Sequence, residues 1–397
     1  MPPLIFRKGL DLKHEVAGTL AESYHSDLVA SIKDNEYRYA SGRLTIHLAR
    51  EFGFCYGVDR AVDYAYQARK RFPDRPVVLT GEIIHNPHVN EQLRAQGIRF
   101  LTDPGESIDA LTPEDVVILP AFGVTIELLA LLERRGCTLV DTTCGSVLNV
   151  WKNVKRYAAD GFTSVIHGKY WHEETRATAS QASQGGLGGH YLVVLDREEA
   201  EVACAYIRGG AGVDREAFLA RFEHAISPGF DPDVHLRRIG CANQTTMLSS
   251  ESLDIGEMFR AAIRERYGEA DAAARFRAFD TICSATQDRQ DAVAALLEAE
   301  PMDLMVVIGG YNSSNTCNLA RLCEPRLPTY HVAEPGCLVS ALEIRHKPVG
   351  AKDERVTAGW LPPSGPVVIG LTSGASTPDN LVERVVRRLE GLANPSR

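Results

Sequence analysis

Short runs of apolar residues alternate along the chain with segments whose apolar positions recur every three or four residues. The first pattern is typical of buried β-strands, and the second of helices that pack one face on a sheet. The segment LTIHLAREFGFCYGVDRAVDYAYQARKRF contains both, with a strand, a glycine-containing turn and a helix that carries Ala61, Val62, Ala65 and Ala68 on one face. Such alternation predicts βαβ units, parallel sheets and an α/β fold.

The same strand–turn–helix unit recurs with a cysteine in its turn. Cys55 lies in the first such turn, Cys144 follows the strand in CTLVDTTCGSVLNVWKNVKRYAADG, and Cys283 does so in FDTICSATQDRQDAV. Ligands of parallel sheets bind at the carboxyl ends of strands, where these turns lie. We therefore predict three α/β domains that each contribute one cysteine. The predicted segments are an N-terminal extension (1–43), three domains (44–143, 144–282 and 283–373) and a C-terminal helix (374–397).

Composition and charge exclude several classes of protein. The 397 residues are 44% hydrophobic and 24% charged, as in an ordinary globular protein of two or three domains. The net charge of −9 argues against broad nucleic-acid binding, which needs a basic face. No apolar run approaches the ~18 residues of a membrane span. The N-terminus has no long apolar segment and carries Asp11, Glu15, Glu22 and Asp27, so we predict a cytoplasmic protein without a membrane partner.

The nine cysteines do not have the spacing of a disulfide framework or of a zinc ribbon, because their number is odd and no CxxC occurs. Most are expected to be small core residues. Cys55, Cys144 and Cys283 differ because each lies at a predicted helix start, where the helix dipole favours a thiolate. Three converging thiolates would suit an iron–sulfur cluster with one iron left open as a Lewis acid. The alternative is three buried structural thiols.

Two polar turns resemble anion cradles. GGYNSSN (309–315) and TSGAST (372–377) each follow an apolar strand and open a helix, with Thr377 and Pro378 as the predicted cap and first position of the last helix. Their backbone amides and side chains, together with NQTT (243–246), could hold phosphate oxygens. The alternative for each turn is plain helix capping.

Histidines and glutamates occur close together in two further loops, IIHNPHVN (83–90) and YWHEET (170–175). A histidine–glutamate pair beside an anion site could bind a phosphate and deliver a proton. Surface or capping roles are the alternative, and the HEE sequence alone does not decide between them.

Together these segments resemble the 4-hydroxy-3-methylbut-2-enyl diphosphate reductases, the last enzymes of the non-mevalonate isoprenoid pathway. The resemblance spans residues 44–392, and LPAFG and VIHGKYWHEET are most similar to the plant and cyanobacterial branch. It is carried by GFCYGVDRAV, EIIHNP, DTTC, SVIHGKYWHEET, NQTT, DTICSATQDRQDAV, GGYNSSNT and TSGASTPD.

The resemblance implies three α/β domains in a pseudo-threefold trefoil around a [4Fe–4S] cluster. Cys55, Cys144 and Cys283 match the family's three ligands, which leave one iron open, and Glu174 matches its proton donor. The implied contacts to the substrate's diphosphate and hydroxyl groups are His85, His172, Thr245, Ser313, Ser314, Asn315 and Ser376. The implied reaction uses two electrons and two protons to remove an allylic hydroxyl as water. The branch draws its electrons from ferredoxin, which implies such a donor here.

Two positions depart from the family's pattern. Phe122 stands where many bacterial members have a histidine, and Gly145 replaces the usual proline after the second cysteine. We expect both departures to affect how tightly diphosphate is held. Rival interpretations are quinolinate synthase, the radical enzymes of diphthamide synthesis, and a non-catalytic iron–sulfur redox sensor. The two enzymes do not share NQTT with NSSN and GAST, and a sensor would need neither Glu174 nor a diphosphate cradle.

Overall fold

The structure, a computed structural model, describes residues 4–183, 189–209, 214–279 and 281–395. The first three residues of the predicted N-terminal extension, Asp280 of the third cysteine segment and residues 396–397 lie outside the described part. The chain divides into two compact units. The described residues of unit 1 fall within Leu119–Cys137 and Thr143–Cys283, and those of unit 2 within Leu4–Ile118, Thr138–Thr142 and Ser284–Arg397.

Strands and helices alternate along most of the described chain. The strands are β1 (Ile5–Phe6), β2 (Arg38–Ser41), β3 (Leu44–Leu48), β4 (Val77–Leu79), β5 (Arg99–Phe100), β6 (Val116–Leu119), β7 (Thr138–Asp141), β8 (Thr163–His167), β9 (Tyr191–Val194), β10 (Ile239–Asn243), β11 (Phe276–Ala278), β12 (Leu304–Ile308), β13 (Thr329–Val332), β14 (Glu343–His346), β15 (Arg355–Ala358) and β16 (Val367–Ser373). The helices are α1 (Lys13–Tyr24), α2 (Asp27–Asp34), α3 (Tyr56–Arg71), α4 (Pro87–Ala95), α5 (Ile126–Arg134), α6 (Gly145–Ala159), α7 (Glu173–Ala182), α8 (Arg197–Arg208), α9 (Arg215–Arg221), α10 (Pro232–His235), α11 (Ser249–Tyr267), α12 (Glu269–Arg275), α13 (Ser284–Ala299), α14 (Ser314–Cys323) and α15 (Asp379–Ala393). Short 3₁₀ helices occur at Ile108–Ala110 and Pro335–Cys337.

Unit 1 is built on one four-stranded sheet in the order β11-β10-β8-β9, in which every neighbouring pair is parallel. All residues of β8 and β10 are buried, as expected for central strands of a parallel sheet covered on both faces. The side chains of α8 and α11 pack with the sheet in an apolar core that includes Phe218, Phe222 and Phe259. This core fixes the strand ends from which the turns of the candidate site emerge.

Unit 2 contains two five-stranded sheets and a hairpin. The first sheet has the order β1-β7-β6-β4-β5, and the second has the order β13-β12-β16-β3-β2. The second is parallel except for the antiparallel pair β2–β3. Strands β14 and β15 form the separate antiparallel hairpin.

The second sheet of unit 2 joins distant parts of the chain. Strand β3 pairs with β16, and Leu44 lies beside Val367. The predicted domains 44–143 and 283–373 place β3 and β16 in different domains, so the prediction does not include this pairing. Residues before position 44 also take part in the sheets, since β1 pairs with β7 and β2 with β3.

Local sequence explains where many helices begin. Asn86 caps α4 by accepting a hydrogen bond from Val89 N, and Pro87 occupies the first turn. The last helix differs from the prediction, because Pro378 is its cap residue. The Thr377 hydroxyl instead donates to Ile308 O at 3.1 Å, so this side chain ties the turn to a neighbouring strand.

The predicted α/β class with parallel sheets is confirmed by these strand pairings. The division into three domains and its boundaries stay a prediction. Among the helices of the described ranges, none combines the length and the apolar character needed to cross a bilayer.

Candidate active site

The three predicted cysteine ligands occupy equivalent local positions. Cys55 is the N-cap residue of α3, Cys144 is that of α6, and Cys283 immediately precedes α13. Each is partly exposed, and neither Cys55 nor Cys144 uses its side chain to cap its helix. Their backbone N–H groups are fixed in the turns: Cys55 donates to Ala375 O at 3.1 Å, Cys144 to Ala121 O at 2.9 Å and Cys283 to Thr245 O at 3.3 Å.

Most of the other cysteines have a different environment. Cys137, Cys204, Cys241, Cys323 and Cys337 are buried. Burial raises the pKa of the Cys204 thiol to about 12 and that of Cys323 to about 12, which keeps both protonated near neutral pH. Cys317 is also partly exposed, but it lies inside α14 and its thiol donates to Tyr311 O at 3.4 Å. The three cysteines at helix starts are soft sulfur donors, and this donor set fits an iron–sulfur cluster.

Glu174 and Thr245 form a buried pair in unit 1. Glu174 is the second residue of α7, and Thr245 lies in the turn that follows β10. The Thr245 backbone N–H donates to Glu174 Oε1 at 2.6 Å, and the Thr245 hydroxyl donates to Oε2 at 3.0 Å. Because Thr245 O also accepts from the Cys283 N–H, the glutamate, the threonine and the third cysteine turn are linked by consecutive hydrogen bonds.

His172 is the N-cap residue of the same helix. Its Nδ1 accepts a hydrogen bond from the Glu174 N–H at 3.2 Å, so the proton of the neutral ring is on Nε2 and can be donated. The ring of Phe122 meets the His172 ring edge to face, with centroids 5.9 Å apart. Nδ1 of His172 therefore caps α7, and Nε2 of the same ring can act as a hydrogen-bond donor.

Three polar loops of unit 2 contact one another. The Ser376 hydroxyl donates to His85 O at 3.2 Å, and Asn315 Oδ1 accepts from Ala375 N at 2.9 Å. Gly310 lies so close to the His85 loop that a Cβ there would be 2.5 Å from His85 O. The predicted contacts His85, Ser313, Ser314, Asn315 and Ser376 are all buried, in these loops or in the first turn of α14.

The Ser313 side chain has a capping role of its own. Ser313 is the N-cap of α14, and its hydroxyl oxygen accepts from Thr316 N at 3.3 Å and from the Thr316 hydroxyl at 3.0 Å. The Ser313 hydroxyl retains its own proton to donate. Helix capping and anion binding are therefore compatible at this residue.

The predicted site residues divide between the two units. Unit 1 holds Cys144, His172, Glu174, Thr245 and Cys283. Unit 2 holds Cys55, His85, Ser313, Ser314, Asn315 and Ser376.

Two polar residues that hold these turns received no role of their own from the sequence, although both lie in segments named there. Gln244 is buried, and its Oε1 accepts from the Thr175 hydroxyl and from Lys169 N, both at 3.1 Å. The buried Arg289 guanidinium donates to Gly53 O at 2.8 Å and therefore fixes the turn that leads to Cys55. The helical spacing of Arg289 with the apolar residues Val293 and Leu296 indicates from the sequence that Arg289 lies on the buried face of α13.

Comparison with known proteins gives consistent matches over nearly the whole chain. The family described as LytB protein matches residues 46–390. The 4-hydroxy-3-methylbut-2-enyl diphosphate reductase of Synechococcus sp. (strain RCC307) is 50% identical over 390 residues, which cover 98% of this chain and 93% of the relative. That of Gloeobacter violaceus (strain ATCC 29082 / PCC 7421) is 49% identical and covers 97% and 91% of the two chains.

A solved structure is also similar in fold. It is the structure of (E)-4-hydroxy-3-methyl-but-2-enyl diphosphate reductase, described as the terminal enzyme of the non-mevalonate pathway. The match has a TM-score of 0.52 and 25% sequence identity, and it covers 87% of this chain and 98% of the solved one.

Proposed function

The chain belongs to the LytB protein family, and we propose that it reduces 4-hydroxy-3-methylbut-2-enyl diphosphate. The reaction consumes two electrons and two protons, breaks the allylic C–O bond and releases the oxygen as water. The products are isopentenyl and dimethylallyl diphosphates. Near 50% identity to reductases over almost the full length supports this assignment against the rival enzymes.

Cys55, Cys144 and Cys283 would hold a [4Fe–4S] cluster as its three protein ligands, with one iron left open. Their partly exposed positions at helix starts support this choice over the buried cysteines. When bound, the cluster supplies electrons singly and a Lewis-acidic iron for the substrate oxygen. The protein's part is to hold these turns through hydrogen bonds to their backbone amides.

The observation that carries the proposal is the buried Glu174–Thr245 pair. Both carboxylate oxygens accept from Thr245, so a proton taken up by Glu174 lies within one hydrogen bond of the threonine hydroxyl. A hydroxyl can accept one proton while it donates another, and Thr245 can therefore relay a proton from Glu174 to a leaving oxygen. A redox sensor would not need such a pair.

The loops of unit 2 would bind the diphosphate. Buried imidazole, hydroxyl and amide groups at His85, Ser314 and Asn315 can donate to phosphate oxygens without any lysine. The Ser376 hydroxyl could join them by exchanging its hydrogen bond to His85 O for one to the phosphate. His172 of unit 1 would provide a further donor through Nε2.

The experiment that tests the function is anaerobic purification followed by iron and sulfide analysis and an assay with a reduced dye. We expect a cluster and formation of both isoprenoid diphosphates from the hydroxylated substrate. A protein that holds the cluster but never converts the substrate would support the sensor interpretation instead.

We propose a small acidic ferredoxin as the electron donor. The cytoplasmic location stays a prediction. Candidate docking segments are 69–75, 152–156 and 345–355, in which Lys70, Lys155 and Lys352 are exposed. Attraction between exposed charges mainly steers association and is screened by salt. Added salt should slow ferredoxin-driven turnover and leave dye-driven turnover nearly unchanged. Equal salt sensitivity in the two assays would argue against a docked ferredoxin.

A further inference from the structure

Glu82, His85 and Asn312 form a three-membered hydrogen-bond cluster in unit 2. Glu82 Oε2 lies 2.8 Å from His85 Nδ1 and 2.8 Å from Asn312 Nδ2. The two nitrogens are 3.3 Å apart. One carboxylate oxygen thus contacts the side chains of two loops that were each predicted to bind the substrate.

The chemistry of the carboxylate decides the direction of these bonds. An ionised carboxylate can only accept, so His85 Nδ1 carries a proton and donates it to Glu82. The second ring nitrogen, Nε2, lies on the side of the ring away from Glu82. For Nε2 to donate to a phosphate oxygen the ring must carry both protons, and the adjacent Glu82 charge compensates that imidazolium.

The backbone around Glu82 is held by other groups. Asn90 accepts from Ile83 N at 3.2 Å and donates to Ile84 O at 3.0 Å. The Asn86 side chain donates to Ser376 O at 2.8 Å. The loop can therefore keep its path without the Glu82 charge, whose partners are side chains rather than backbone groups.

We propose that Glu82 is a positioning residue for diphosphate binding, which holds the His85 ring with Nε2 as a donor and ties the ring to Asn312. The proposal rests on the proposed function, because it assigns the His85 donor to the substrate's diphosphate. Glu82 acts through His85 and Asn312. Its side chain is one-third exposed and that of His85 is 9% exposed, so the carboxylate holds the Nδ1 side of a largely buried ring.

The test compares Glu82→Gln with Glu91→Gln, which removes an exposed carboxylate from the neighbouring helix α4. Turnover and calorimetric binding of inorganic diphosphate are measured for both variants and for the parent. Glu82→Gln should raise KM about tenfold and weaken diphosphate binding about tenfold, while kcat changes less than about twofold. Glu91→Gln should match the parent, and iron content should be unchanged in both.

A double-variant experiment separates positioning from a general structural effect. If Glu82 acts through His85, Glu82→Gln should weaken diphosphate binding little further in a His85→Asn background. Parental KM and diphosphate affinity in Glu82→Gln would overturn the proposal. A double variant whose loss of diphosphate affinity equals the product of the two single losses would overturn it as well. Absence of turnover in the parent would instead overturn the proposed function.

Discussion

Cys241 and Cys283 belong to the same unit, yet they differ in burial and in their position relative to strand and helix. Cys241 is the third residue of the fully buried strand β10, and burial raises the pKa of its thiol far above the ordinary value. Cys283 is partly exposed at the start of α13, and its N–H donates to the turn after β10. Cys323 and Cys55 show the same contrast in unit 2. Position in the strand–turn–helix unit thus separates candidate ligands from core thiols.

The largest expected effect tests this contrast directly. Replacement of Cys55, Cys144 or Cys283 by serine should abolish turnover and leave little or no intact cluster, because a hard hydroxyl replaces a soft thiolate. Iron and sulfide analysis and the visible absorption spectrum of anaerobically prepared protein provide the measurement.

Cys204→Ala is the matched control from the apolar core. It removes a fully buried thiol and should keep iron content and turnover at the parental level, with only a modest loss of stability. An unaltered cluster in the Cys283→Ser variant, or loss of the cluster in Cys204→Ala, would overturn the distinction between the two groups of cysteines.

The next effect concerns the polar pair at the strand ends. Glu174→Gln keeps the size of the side chain but cannot supply a carboxylic proton. Turnover should fall by about 10²–10⁴-fold, as is typical when general acid–base help is lost. Cluster content and substrate binding should survive, because the cysteines and the loops proposed to bind diphosphate are unchanged. A substrate-dependent change in the absorption spectrum should therefore remain.

Glu173→Gln provides the control for this variant. Glu173 is the adjacent residue of α7, but its side chain is 57% exposed and its Oε2 lies 4.0 Å from His172 Nδ1, beyond hydrogen-bond distance. Its replacement should leave turnover close to the parental rate. If Glu174→Gln also turns over at that rate, the proton has another source and Glu174 is only a capping or supporting residue.

Local features explain what the sequence predicted correctly. Parallel α/β structure follows from alternation within about 30 residues, since each strand and its helix bury their own apolar faces. The turns of Cys55, Cys144 and Cys283 could be recognised for the same reason. Glu174 and Thr245 were each named only through the resemblance, and their roles stay predictions; a hydrogen bond across 71 residues leaves no local pattern from which their pairing could be predicted.

Long-range pairing explains what the sequence could not predict. Arg289 and Gly53 are separated by 236 residues, and Asn312 and Glu82 by 230 residues. None of these four residues has a local sequence pattern that indicates its distant partner. The pairing of β3 with β16 is equally non-local, and alternation of strands and helices does not specify which strands become neighbours.

The turn after β6 differs from the polar turns of the candidate site, because it carries the aromatic side chain of Phe122. The turn requires glycine at position 123, where φ is +76° and a Cβ would lie 2.4 Å from the Trp151 ring. The Gly123 N–H also donates to Pro120 O at 2.9 Å, and a substitution at Phe122 leaves this backbone hydrogen bond in place.

Phe122→His should preserve turnover and lower KM, by at most about tenfold, or leave it unchanged. A histidine adds a donor, but it also replaces the ring that contacts His172 edge to face, so the gain should be smaller than the value of a full charge-assisted hydrogen bond. Phe122→Leu is the control, because it removes the same aromatic contact without adding a donor. A lower KM in the histidine variant alone would show that the turn can accept a diphosphate contact. Complete inactivation of Phe122→His with an intact cluster would show instead that the aromatic ring has a role of its own.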